Sequence, residues 1–123
     1  MLALLFGLAV VNASAQYGDA KRGEYIAKAG GCIGCHTEDK KDAVPFAGGR
    51  NLKTTFGTFF GPNITPHPQA GIGHWTEADF MRAMRHGTRP DGANYLPVFP
   101  YPSFTKITDS DLRDLWAYLR MLP

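Results

Sequence analysis

The sequence predicts an all-α domain. Three observations carry that expectation. Three segments place apolar residues at helical spacing behind a capping residue, the connections between them are crowded with glycine and proline, and no run alternates cleanly enough for a strand. With 123 residues, two cysteines and a formal net charge of +2, the chain has room for one small domain and no disulfide-dense scaffold. A core of that size is thin, so a bound group at its centre would add materially to it. The near-neutral charge offers no basic stripe to neutralise phosphates, which argues against a nucleic-acid partner.

Taken in order, residues 1–11 are an apolar run, and Ala13 and Ala15 sit at the small-residue spacing of a signal-peptidase site. Residues 1–15 are therefore expected to be a cleaved export signal and residues 16–123 the mature domain. The run is shorter than the ~20 apolar residues a bilayer-crossing helix takes, which makes a permanent anchor the weaker reading. Residues 19–30 read as a first helix, with Asp19 able to cap its free N–H groups and Gly30-Gly31 able to stop it. Residues 45–75 hold six glycines and four prolines, too many for a helix or central strand, yet also Phe46, Leu52, Phe56, Phe59, Phe60, Ile64, Ile72 and Trp75. So apolar a connection is expected to wrap around something.

Thr76 opens a second helix, with Asp79 placed as the acidic partner of a capping box, Phe80 and Met84 four apart on one face, and Gly87 as the stop. After another loop marked by Pro90, Pro97, Pro100 and Pro102, Thr108 opens the last helix. Asp109 and Asp111 suit the positive end of its dipole, and Leu112, Leu115, Trp116 and Leu119 make one apolar face.

Cys32-Ile33-Gly34-Cys35-His36 spells C-x-x-C-H. Two thiols three positions apart at a helix end can add to the two vinyl groups on one edge of a haem. The adjoining His36 then brings its imidazole to the iron from one face. The expected cofactor is one covalent haem c, with Cys32 and Cys35 as anchors and His36 as the metal ligand. Three other readings compete. A redox disulfide belongs in a strand-flanked unit, which is missing here. A zinc site would have to recruit His67, His74 or His86 from distant segments. A structural disulfide closing so short a loop would add little stability.

On these residues the chain resembles the class I c-type cytochromes over nearly the whole mature length, and Leu115-Trp116-Ala117-Tyr118-Leu119 looks like that family's last helix. The resemblance implies that the N- and C-terminal helices cross, with Gly23 as the small residue facing Leu115 and Tyr118, and that long Gly/Pro-rich loops enclose one covalent haem. Pro45-Phe46-Ala47-Gly48-Gly49, Gly61-Pro62-Asn63-Ile64-Thr65-Pro66, Gly71-Ile72-Gly73 and Tyr101-Pro102-Ser103-Phe104-Thr105-Lys106 are similar, more narrowly, to haem domains in the cytochrome c subunits of membrane-associated alcohol and gluconate dehydrogenases and of some molybdenum hydroxylases. Those subunits usually carry three such domains; one C-x-x-C-H resembles a single module. The implied role is a periplasmic electron carrier, not an enzyme. It would take electrons from a periplasmic or membrane-bound dehydrogenase and pass them toward a terminal oxidase, as a shuttle or as a subunit of a membrane complex.

In that subfamily a methionine beside a proline supplies the distal ligand, but here Leu96-Pro97-Val98-Phe99-Pro100 puts Phe99 in its place, and phenylalanine cannot ligate iron. The remaining methionines are Met81, Met84 and Met121, with Met84 reading as core filler, and the remaining histidines are His67, His74 and His86. An open or weakly ligated iron and a histidine-ligated iron are the leading expectations, with methionine third. An open iron would carry the alternative function, binding or turning over a small ligand such as carbon monoxide, nitric oxide or peroxide. Acidic and basic residues balance elsewhere in the chain, so the net charge traces to Arg50 and Lys53, for which two expectations stand level: that they meet a haem propionate or guide an acidic partner, or that they are two solvated surface cations.

Overall fold

The computed structural model describes residues 17–123, and the expected signal segment lies outside the described residues. In chain order the elements are helix α1 (Ala20–Ala29), short helix α2 (Cys32–His36), strands β1 (Asn51–Thr54) and β2 (Gly57–Phe60), helix α3 (Glu77–His86), a 3-10 turn (Tyr101–Ser103) and helix α4 (Asp109–Leu119).

The three expected helices form with the expected caps. Asp19 accepts from the backbone N–H groups of Lys21 and Arg22. Thr76 and Asp79 complete a reciprocal capping box on α3, and Gly87 closes that helix in the left-handed conformation. Thr108 accepts from the Asp111 N–H at the start of α4. Each pairing satisfies a donor that the helix itself leaves free, and so fixes where the helix begins.

The all-α expectation needs correction. β1 and β2 pair antiparallel, Asn51 opposite Phe60 and Leu52 opposite Phe59. The hairpin has no fully buried face; only Leu52 and Phe59 are partly covered. Alternation appears in a sequence when one face of a strand must be buried, and that pressure is weak here.

Helices α1 and α4 cross at closest approach. Gly23 is buried there, and a Cβ in its place would collide with the Asp114 carbonyl and lie 2.8 Å from Tyr118 Cβ. The small-residue expectation holds for Tyr118, while the backbone of Asp114 is nearer than Leu115. Ala27, Ile72, Phe80, Met84, Leu112, Leu115 and Leu119 make up the buried core. Phe80 stacks on Trp116 at 5.2 Å, and the Arg120 guanidinium lies 5.4 Å from the centre of the Trp116 ring. Ile72, Phe80, Met84, Leu115 and Leu119 of this core also line a cavity.

Candidate functional site

Protein interiors pack densely and leave few voids larger than a water molecule. Here a cavity of about 570 Å³ opens between the core and the loops, in the size range of small-molecule and cofactor pockets. Cys32, Cys35 and His36 all line it, as do the cross-strand partners Leu52 and Phe59. The hairpin that the sequence reading missed is therefore part of the cavity wall.

His36 is held by backbone on two sides. Its Nδ1–H donates to the Pro62 carbonyl at 2.8 Å, and its own carbonyl accepts from the Gly48 N–H at 2.7 Å. The first bond fixes the tautomer: with the proton on Nδ1, the lone pair is on Nε2 and free for a metal. Burial pushes the imidazole below its ordinary pKa, with the Pro62 hydrogen bond opposing in part, so the ring stays neutral as a ligand must. Gly61 lies so close beneath α2 that a Cβ there would run into the Cys35 carbonyl.

Phe46 locks this arrangement. It is the one described non-glycine residue with positive φ, at 63°, a backbone state that needs support from its surroundings. Its N–H donates to the Thr37 hydroxyl at 3.0 Å, its carbonyl accepts from the Ile64 N–H at 2.9 Å, and its buried ring meets Tyr118 edge to face at 6.1 Å. The loop after the motif is thereby fastened to α4.

Cys32 and Cys35 are both free thiols, and burial pushes the Cys32 thiol pKa up. A redox-active cysteine needs the opposite shift, toward thiolate. The zinc set does not assemble either, because His67, His74 and His86 are exposed and none lines the cavity. Two thiols beside a ring nitrogen in a largely apolar, spacious cavity fit a flat apolar macrocycle with a central metal.

The same placement removes the histidines as candidates for a sixth iron ligand. His67 also accepts through Nδ1 from the N–H groups of Gln69 and Ala70, which turns it into its own loop. The propionate expectation for Arg50 and Lys53 is likewise corrected. Neither lines the cavity; Arg50 pairs with Asp39 at 3.4 Å, and Lys53 is exposed on β1. The cation on the cavity wall is Arg89, from the loop after α3, together with Asn94 and Tyr95. Its signal in the sequence was a basic residue beside Pro90 and Gly92, in a loop that has to turn back across the cavity. Pro62 was invisible for another reason: it acts through its carbonyl, and side-chain chemistry does not report that.

Phe99 lines the cavity and sits in an aromatic cluster, 5.4 Å from Tyr95, 5.9 Å from Phe104 and 6.4 Å from Tyr101 between ring centres.

The family model for cytochrome c matches residues 20–123. The chain is 44% identical over 123 residues to the cytochrome c subunit of the quinone-dependent alcohol dehydrogenase of Gluconobacter oxydans, covering 95% of this chain and 25% of that protein. It is 43% identical over 122 residues to the gluconate 2-dehydrogenase cytochrome c subunit of Pantoea cypripedii, covering 96% and 27%. A diheme cytochrome c-type protein of Cereibacter sphaeroides is 47% identical over 109 residues, covering 86% and 37%. The chain spans between a quarter and somewhat over a third of the length of these curated relatives.

Proposed function

Because the chain belongs to the cytochrome c family, we propose that residues 16–123 form one class I cytochrome c domain that holds a single haem and carries electrons one at a time from a dehydrogenase toward the respiratory chain. Cys32 and Cys35 are its thioether anchors and His36 is its proximal iron ligand. The observation that carries this reading is the convergence of the two free thiols and a tautomer-fixed imidazole on one cavity of about 570 Å³.

When bound, the haem supplies a ferric/ferrous couple that takes up one electron and gives it back. The work of the chain is binding and tuning. Pro62 orients His36 and raises the basicity of its free nitrogen. Leu52, Phe59, Ile72, Trp75 and Phe99 exclude water from the cavity, and Arg89 offers a cation to a carboxylate at its mouth.

The partner class comes from the relatives. Those named above include cytochrome subunits of an alcohol and a gluconate dehydrogenase. That the chain spans about a quarter of such a subunit's length supports its reading as a single haem module. Residues 1–15, read as an export signal, support a periplasmic location. Among the described residues no helix is long and apolar enough to cross a membrane.

The test is expression of the chain with a c-type maturation system. Pigment should stay with the polypeptide through denaturing electrophoresis, and the paired change Cys32→Ala with Cys35→Ala should remove it. The oxidised protein should then be reduced by a membrane-bound alcohol or gluconate dehydrogenase supplied with its substrate. Pigment surviving the double substitution would overturn the anchors, and failure of reduction would overturn the partner class.

A further inference from the structure

The haem reading leaves the second axial position unassigned, and Phe99 cannot fill it. Its ring is enclosed by Tyr95, Tyr101 and Phe104, and the Tyr101 N–H donates to its carbonyl at 2.7 Å, so this segment is built as an aromatic wall. A protein donor would have to come from another residue on the cavity.

The remaining candidates sort by position. His67, His74 and His86 are exposed and off the cavity, Met121 is 74% exposed, and Met81 packs at the edge of the core without lining the cavity. Met84 lines it and is 8% exposed. It lies in the last full turn of α3 on the same buried face as Phe80 and Ala83. That helix packs chiefly on α4 and the 3-10 turn, whereas His36 is held by residues 48 and 62. The two side chains thus reach the cavity from separately anchored walls.

Other lone pairs on the wall are poorer choices. Arg89 has none to give, and Asn63 Oδ1 is occupied by the N–H and hydroxyl of Thr65 at 2.8 and 2.6 Å. Asn94 is exposed, and burial holds the Tyr95 phenol in its protonated form. A thioether is a soft, uncharged donor that needs no deprotonation and costs little to bury.

We propose that Met84, supplied by helix α3 in place of the loop position that Phe99 occupies, is the sixth ligand of the haem iron. This rests on the proposed haem site, and the test separates the two. Covalent pigment is scored first by denaturing electrophoresis; its absence would overturn both. With pigment present, the ferric wild type should show the weak red charge-transfer band of thioether ligation. The ferrous form should show one strongly upfield-shifted methionine methyl resonance and no spectral change on adding carbon monoxide. Met81→Leu and Met121→Leu should leave that resonance in place, which assigns it to Met84 even if the Met84 variant folds poorly. Met84→Leu should lose both signals and gain carbon monoxide binding, and Met84→His should restore a low-spin spectrum at a lower reduction potential. A wild type without the band, or signals unchanged by Met84→Leu, would overturn the ligand while leaving the haem site standing.

Discussion

Asp114, in the middle of α4, caps and neutralises the start of α1: its carboxylate accepts from the Asp19 backbone N–H at 2.6 Å and from Arg22 Nε at 2.7 Å. The side chain of Asp114 is almost wholly buried, while that of Arg22 is 62% exposed. A buried charge on one helix is thus satisfied by the first turn of the other, beside the contact where Gly23 lets them touch.

This pair sets an acid sensitivity. The hydrogen bond from Arg22 holds the Asp114 carboxyl below its ordinary pKa against the opposing effect of burial, and the Asp19 N–H adds to the lowering. A folded pKa below the unfolded one gives stability that is fully present above the unfolded value, about 3.9, and is lost as pH falls through the folded value. The urea midpoint of Asp114→Asn should therefore lie well below wild type at about pH 7, and the gap should close as pH falls below about 4. A gap independent of pH would mean that the carboxylate's charge contributes nothing.

Gly23→Ala sets two effects against each other. Alanine favours a helix interior by about 1 kcal/mol over glycine. Its Cβ would strike the Asp114 carbonyl, and a helix backbone cannot swing aside as a flexible side chain can. Overpacking of this kind costs about 1–3 kcal/mol, so the net effect should be destabilising and Gly23→Val should be worse. Denaturant unfolding of the two variants checks the order; an Ala variant more stable than wild type would show that the helices can part.

The helices were legible because their signals are local. Asp19, Thr76 with Asp79, and Thr108 act within three residues of themselves, and Phe80, Met84, Leu112, Leu115 and Leu119 repeat at the helical period. The cofactor motif was legible because its chemistry needs a fixed spacing. What escaped was created by distant segments meeting. The β1–β2 hairpin carries no alternation, the hold on His36 is a carbonyl 26 residues away, and Arg89 reaches the cavity through a loop path that charge counting favoured Arg50 and Lys53 to fill. Met84 was visible as a buried helix residue, but its place on the cavity wall depends on how α3 packs, which the sequence does not state locally.

Arg89 gives an electrostatic prediction. It is the cation on the cavity wall, pairing at 3.0 Å with Asp91 in the same exposed loop. Positive charge near a redox centre favours its reduced, less positive form. Arg89→Gln should lower the reduction potential, and raising the salt concentration should narrow the difference from wild type, since exposed charges are screened. Redox titration of both proteins at low and high salt checks this; a potential that does not move would place the guanidinium too far from the haem to matter.

Arg85 ties the aromatic wall of the cavity to the helical frame. From the end of α3 its guanidinium donates to the carbonyls of Thr105 at 2.7 Å and Ile107 at 2.8 Å, and it pairs with Asp109 at the start of α4. One planar fork therefore fixes the segment between the 3-10 turn and α4, immediately after the Phe99–Phe104 cluster. Charged hydrogen bonds of this kind contribute about 1.5–3 kcal/mol, so Arg85→Ala should destabilise by an amount in that range. Arg85→Lys should recover only part of the loss, because a compact ammonium cannot reproduce the geometry of the fork. The local consequence distinguishes this from a general loss of stability. Amide exchange should speed up at Phe104 and Ile107, whose N–H groups donate to Tyr101 and Phe104, by more than at the Gly23 N–H within α1, which donates to Asp19. Uniform acceleration across all three amides would show that Arg85 supports the whole domain and does not specifically hold the aromatic wall.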